Sequence, residues 1–361
     1  LEFVSLAPNQ SYDLICSDTP YFYANPGKVT YGLGASYNDP FSCNYLPKSS
    51  GGALNLPIAT QARVAVDSFN YLAKLSDGRV AVWGAACQAA PGNGQYVQFC
   101  DGVSSMLLPQ VVPGLTGVSA LSAMNPNNGK LLAKLASGGW SSWKGYSNPK
   151  LSPSAELALQ NVALVRGTLA VKADGTLWAI SQDAVLSPVG GVTNAVDAAQ
   201  AGAVIFALRK DGVVIAVNGG NVDTQMTGID FDDYTNYVVQ PRSPLAPLPS
   251  ISRVVSIAAT SSNMFAVKQD GTVWAWGYAG TGYGGTVRPN NTYRPVQLAG
   301  VSGAAAVSAS YQTVYVLLAD GRVVAWVGNS AGQLGRGTIG AEDGTPTIIP
   351  GLANVVEIVA A

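Results

Sequence analysis

Histidine is absent from the 361 residues. That absence removes the usual general base, the Ser-His-Asp arrangement and imidazole metal ligands together. Charge is scarce as well: Lys, Arg, Asp and Glu make up 11% of the chain and leave a formal net charge of −1. The cations are scattered, so no basic stripe is available to displace counterions from a nucleic acid and no polybasic patch to hold an anionic membrane. Long apolar runs are missing too. The most apolar stretch, 304–318, is broken by Ser308, Ser310, Gln312 and Thr313 and reads as two strands rather than a membrane span. Neither an initiator Met nor a signal-peptide pattern opens the sequence, which reads as a mature product or an excised domain of a larger surface or secreted protein.

Only four cysteines occur, Cys16, Cys43, Cys87 and Cys100. The last two bracket the polar loop "CQAAPGNGQYVQFC", where a disulfide would contribute roughly 3 kcal/mol through the unfolded state. Cys16 with Cys43 would form the other bridge; four reduced thiols are the alternative. Two bridges imply an oxidising, extracellular compartment. Metal binding is disfavoured, because no CxxC spacing accompanies the cysteines.

What the chain has in quantity is glycine (41), proline (21) and a 48% share of hydrophobic residues, which suits a turn-rich β protein. Self-comparison finds one pattern repeated: "YLAKLSDGRVAVWG", "LLAKLASGGWSSWK", "TLAVKADGTLWAIS", "IFALRKDGVVIAVN", "MFAVKQDGTVWAWG" and "VYVLLADGRVVAWV". Each is two apolar strands about a tight turn, which Asp-Gly suits because both central positions need positive φ. A weaker seventh copy, "YDLICSDTPYFYAN", has Asp18-Thr19 in place of Asp-Gly. The turn residues Asp18, Asp77, Ser137, Asp174, Asp211, Asp270 and Asp320 are spaced by 59, 60, 37, 37, 59 and 50 residues, so seven units consume the chain.

An upstream strand of small and branched residues ("VVSIAATSS", "AVDAAQAG") and a short Pro-initiated strand ("LPQVV", "RPVQL", "TPTII") bring each unit to four strands. Four strands per unit, apolar on both faces, predict an all-β fold over residues 1–361: a seven-bladed β-propeller of four-stranded blades, its ring closed by pairing of the N- and C-terminal strands. Both "EFVSLAP" and "NVVEIVAA" match the same strand of the repeat. The expectation adopted is that "TPTII" completes the N-terminal blade while one duplicate is displaced or extends it.

"DGTVWAWG" and "WVGNSAGQLGRG" resemble the repeat of the regulator of chromosome condensation family, which forms seven-bladed propellers. The resemblance extends along the chain and is strongest in its last two copies; bacterial secreted members are the nearest type it suggests. Where that family often carries His, this sequence has Ser11, Asn70, Lys130, Gly167, Val204, Asn263 and Thr313.

Meander topology sends the loops after each third strand to one rim, where segments 34–50, 85–107, 144–157, 218–243, 278–293 and 327–344 gather. Their Tyr, Asn, Gly and Ser suit adaptable contact surfaces. Candidate ligand contacts are Tyr37, Phe41, Tyr45, Tyr96, Phe99, Tyr146, Tyr234, Tyr237, Tyr283 and Tyr293. Asp230, Asp232 and Asp233 are a weak calcium candidate lacking the Gly and terminal Glu of an EF-hand. No cofactor and no catalytic residue is expected. The function read from these features is non-enzymatic recognition of a protein or cell-surface ligand outside a bacterial cell. The alternatives are a carboxylate-based enzyme on a propeller frame and an intracellular exchange-factor or scaffold propeller.

Overall fold

The computed structural model describes residues 12–16, 22–25, 28–31, 43–47, 54–58, 63–66, 70–84, 88–90, 97–99, 106–124, 130–144, 154–155, 159–181, 185–202, 204–218, 245–247, 251–261, 263–277, 295–310, 313–330, 332–340 and 343–360. No α-helix occurs among them, and none of their segments is a helix long and apolar enough to cross a membrane. The chain divides into two compact units: Leu1–Ala53 with Asp230–Gln240, and Leu54–Ile229 with Pro241–Ala361.

In the smaller unit Tyr12–Cys16 pairs antiparallel with Cys43–Pro47, and Phe22–Asn25 with Lys28–Tyr31. The strands on either side of Asp18 therefore pair elsewhere instead of with each other. Thr19 stands where the other copies have Gly, so that turn lacks the residue that tolerates positive φ.

The larger unit contains six four-stranded sheets, each an antiparallel meander. The first is Val64–Val66, Asn70–Lys74, Val80–Gly84 and Met106–Val111; the second Val118–Met124, Lys130–Leu135, Trp140–Lys144 and Ser154–Ala155. Val162–Arg166, Leu169–Lys172, Leu177–Ile180 and Leu186–Pro188 make the third, and Ala195–Ala201, Val204–Arg209, Val214–Asn218 and Leu245–Pro247 the fourth. The fifth is Val254–Ala259, Asn263–Lys268, Val273–Gly277 and Val296–Gln297, and the sixth Ala304–Ala309, Thr313–Leu318, Val323–Val327 and Asp343–Ile348. A separate hairpin, Gln88–Ala90 with Val97–Phe99, interrupts the first sheet.

Burial on both faces explains why these strands do not alternate with polar residues. Val273–Gly277 and Val323–Val327 are buried at every position. Neighbouring sheets interlock through aromatic pairs set edge to face: Phe206 with Trp276 at 5.8 Å and Phe265 with Trp326 at 5.9 Å between centroids. The first strands of successive sheets lie against one another. Five of them carry a bulge at the same place, between Val118 and Ala120, Val162 and Leu164, Ala195 and Asp197, Val254 and Ser256, and Ala304 and Ala306.

The turn of one sheet is hydrogen-bonded to the start of the next. The N–H groups of Val118, Ala195, Val254 and Ala304 donate to the carbonyls of Gly78, Gly175, Gly212 and Gly271, at 2.9–3.0 Å. Between the second and third sheets the indole of Trp140 does this instead, donating to the Val162 carbonyl at 2.9 Å. The contact is tight enough to require glycine twice over. Gly175 has φ of 78°, and a Cβ there would lie 2.9 Å from Asn194 Cα.

The same bond recurs once more beyond the sixth sheet, where Val355 N–H donates to the Gly321 carbonyl at 3.0 Å. Asn354 has φ of 55°, matching Asn194 (58°) and Asn161 (61°) just before the first strands of the fourth and third sheets. Residues 354–360 thus follow the sixth sheet as the first strands follow the turns of the earlier sheets, with Ala360 N–H donating to Ser308 Oγ at 3.0 Å. This corrects the expected placement of "TPTII": it lies in the fourth strand of the sixth sheet, with Ile348 opposite Val324, and "NVVEIVAA" is the segment held by the turn at Gly321. The deciding feature is Asn354, whose left-handed backbone repeats the entry to the first strands.

Candidate interaction surface

Pinning each turn to the next first strand places the turns on one rim of the larger unit, and the antiparallel meander directs the C-terminal ends of the third strands to the other. On the turn rim, each carboxylate is consumed by its own turn. Asp174 Oδ1 accepts from Thr176 N–H (2.9 Å) and from its hydroxyl (2.6 Å), while Thr176 Oγ1 accepts from the Trp178 indole (2.9 Å). Asp270, Thr272 and Trp274 repeat this at 3.0, 2.6 and 2.9 Å. The ammonium groups of Lys172 and Lys268 lie over the two indoles, 3.5 and 5.2 Å from the ring centroids.

In the Asp77 and Asp320 turns an arginine replaces the threonine; in the Asp211 turn Val213 stands there, and Arg209, at the position of Lys172 and Lys268, supplies the pair. Asp77 binds Arg79 at 2.7 Å, Asp211 binds Arg209 at 2.7 Å and Asp320 binds Arg322 at 2.6 Å. Hydrogen bonds from Arg79 N–H, the Thr176 hydroxyl and the Arg322 side chain hold the carboxyls of Asp77, Asp174 and Asp320 below the usual range. Carboxylates tied in this way are neither a raised-pKa general acid nor an open oxygen cage.

Side chains also stitch the first and second strands of neighbouring sheets together. Lys74 Nζ donates to Ser119 O (3.1 Å), Ser122 Oγ to Val165 O (2.9 Å) and Arg166 Nε to Asp197 Oδ1 (3.1 Å). Glu357 completes the series by accepting from Arg63 N–H at 2.8 Å, across 294 residues of sequence. Burial raises the Glu357 pKa, opposed by the Arg63 N–H and by the charges of Arg166, Arg63 and Lys74. A carboxyl raised in the folded state contributes stability fully below its unfolded value and loses it as pH climbs through the folded value. Glu357→Gln keeps an oxygen for Arg63 and removes the buried charge. Compared with the unmodified chain, its urea midpoint is expected to rise progressively as pH increases from 4.5 toward neutrality; a pH-independent difference contradicts this. Glu357 and Asp197 escaped the sequence reading, although both stand third after Asn in "NVVE" and "NAVD".

On the loop rim, the described loop is 328–340 with a gap at 331. Buried Asn329 organises it: its Oδ1 accepts from Leu334 N–H (3.2 Å), and its Nδ2 donates to Thr338 O (3.1 Å). Tyr315 donates its hydroxyl to Gln333 O at 2.8 Å. Arg336 pairs with Asp343 and donates to Ala325 O. "GQLG" is therefore a self-contained loop with fully buried Leu334 as its anchor.

Of the expected ligand contacts, Tyr37, Phe41, Tyr96, Tyr146, Tyr234, Tyr237, Tyr283 and Tyr293 lie outside the described residues, as do Asp230, Asp232, Asp233, Cys87 and Cys100. Tyr45 and Phe99 fall in strands described by their backbone alone. The register sets Cys16 opposite Cys43.

No family model matches the chain. Protein pim1 of Schizosaccharomyces pombe is 28% identical over 176 residues, covering 43% of this chain and 33% of that protein. The match thus spans about a third of the relative's length. Among solved structures, human WBSCR16 superposes with a TM-score of 0.61 at 15% identity, over 91% of this chain and 90% of that one. Prp20p of Saccharomyces cerevisiae, described with its binding properties to Gsp1p and histones, gives 0.60 at 16% identity over 79% and 76%. The same yeast RCC1 (Prp20) bound to Kap60 gives 0.58 at 17% identity over 79% and 74%. The fold is that of an RCC1-like β-propeller. These comparisons also correct the extracellular location: the proteins the chain is similar to, Prp20, Pim1 and WBSCR16, are intracellular proteins of the RCC1 type. An even cysteine count and low charge describe composition, and either compartment accommodates them.

Proposed function

We propose that the chain is a non-enzymatic, intracellular recognition propeller of the RCC1 type, acting as a scaffold or exchange factor on a protein partner. The observation that carries this reading is the RCC1-like superposition over 79–91% of the chain. The whole of 1–361 is read as one propeller of seven repeats, with 354–360 as the first strand of the seventh. Contacts are assigned to the insertions after third strands, where Tyr234 and Tyr237 offer large, low-entropy contact area.

The test is binding of the purified chain to immobilised Gsp1p and, separately, to histones, with release of a fluorescent guanine nucleotide from Gsp1p as second readout. Saturable binding to either, weakened about tenfold by Tyr234→Ala with Tyr237→Ala, supports the reading; a tenfold loss corresponds to about 1.4 kcal/mol. Nucleotide release separates exchange factor from scaffold. Failure to bind both proteins at about 100 μM, roughly −5.5 kcal/mol, contradicts it.

A further inference from the structure

The turn rim holds a peptide of the chain's own. Leu54–Ile58, "LNLPI", crosses the turn of the fourth sheet, where Leu56 N–H donates to the Lys210 carbonyl at 2.8 Å. Leu54 lies directly over Gly212, with Cδ1 2.5 Å from where a Cβ would stand. Ile58 packs into the apolar cluster between the third and fourth sheets, which includes Leu169, Val171, Val192 and Ile215.

The place that Ile215 takes in the third strand of the fourth sheet is filled differently in the sheets that follow the same turn pattern. In the third and fifth sheets that residue is Trp178 or Trp274, held by Thr176 or Thr272 and overlaid by Lys172 or Lys268. Trp274 is fully buried and fills its place. The sixth sheet has Val324 there, paired opposite Val316 as Trp274 is opposite Ala266. Leu318 replaces the lysine. A cleft of about 400 Å³ results, lined by Val301, Leu318, Val324, Arg322, Pro346 and Ile348 among others. Val301, Leu318 and Val324 are buried, and Ile348 at the edge is 39% exposed. Residue for residue, Val301, Ala319, Gly321 and Val324 stand where Val192, Lys210, Gly212 and Ile215 stand under the "LNLPI" segment.

We propose that the cleft between the fifth and sixth sheets is a docking site for an extended, proline-containing apolar peptide of a partner protein. The peptide lies across the turn as Leu54–Ile58 does. Its backbone N–H bonds to the Ala319 carbonyl, and a branched aliphatic side chain two residues later enters the cleft. Proline suits the role because it favours the extended backbone before binding, which lowers the ordering cost. The site lies on the turn rim, apart from the loop rim assigned to the main partner.

Fluorescence anisotropy of a dye-labelled peptide containing Leu-Asn-Leu-Pro-Ile, titrated with the full chain, tests this. Saturable binding is expected, reduced at least tenfold in Val324→Trp, which closes the cleft as Trp274 closes its own. Ile348→Glu, at an exposed position that tolerates charge in the fold, is expected to reduce it similarly. Absence of binding at about 1 mM chain, a weak-affinity limit, overturns the proposal. So does binding that persists in both variants, the result expected if the peptide merely displaces Leu54–Ile58.

Discussion

Deleting residues 352–361 is expected to cost about 5 kcal/mol, a large part of the roughly 5–15 kcal/mol that holds a typical domain folded. Val355 and Ile358 are partly buried against the outer face of the sixth sheet, where Leu317, Val323 and Ala325 are buried. Removing them returns that face to water at about 1 kcal/mol for each half-buried side chain. The hydrogen bonds Val355 to Gly321, Ala360 to Ser308 and Arg63 to Glu357 vanish with the segment, each worth about 1 kcal/mol net. The last also ends the contact between the end of the chain and the start of the first sheet. A fall in urea midpoint, with native near-UV dichroism retained at zero urea, is the expected readout. An unchanged midpoint contradicts the role given to this segment.

Trp326→Ala is expected to cost about 3–5 kcal/mol by leaving a cavity in a packed interior. Trp326 is fully buried, sits edge to face with Phe265, and shares one cluster with Val267 and Val273 of the fifth sheet and Val307 and Val314 of its own. Its indole N–H has no hydrogen-bond partner among the described residues, and a dry unpaired donor costs about 1–3 kcal/mol. The two effects separate in Trp326→Phe. Phenylalanine retains the edge-to-face contact and discards the orphaned donor, so its loss is expected to be less than half that of alanine. Equal losses for the two variants in denaturant unfolding contradict this partition.

Much of the larger unit was readable from local chemistry. Asp-Gly at 77–78, 174–175, 211–212, 270–271 and 320–321 demands a tight turn, and apolar residues on both faces demand a sheet packed between sheets. The Thr176–Trp178 and Thr272–Trp274 bonds were written in "DGTLW" and "DGTVW" but carry no periodic signal. Three things were not readable. Asp18-Thr19 resembles the turn in composition, yet pairing of Tyr12–Cys16 depends on Cys43–Pro47, far along the chain. "TPTII" and "NVVEIVAA" are both strand-like, and the left-handed backbone at Asn354 with the Val355 to Gly321 bond, neither visible in the sequence, is what likens the second to the entry of the first strands. Glu357 is one of few acids in the last repeat, but its partner Arg63 lies 294 residues away. The candidate contact residues were chosen by composition alone, since long insertions carry no repeat to constrain them.

Amide hydrogen exchange under native conditions tests the seventh first-strand position most directly. Val118, Ala195, Val254, Ala304 and Val355 each donate to the carbonyl of the preceding turn glycine. If 354–360 is held as the other first strands are, Val355 exchanges through the same cooperative opening and shows protection of the same order as the other four. Exchange of Val355 at the rate of an unstructured amide, while those four remain protected, contradicts it.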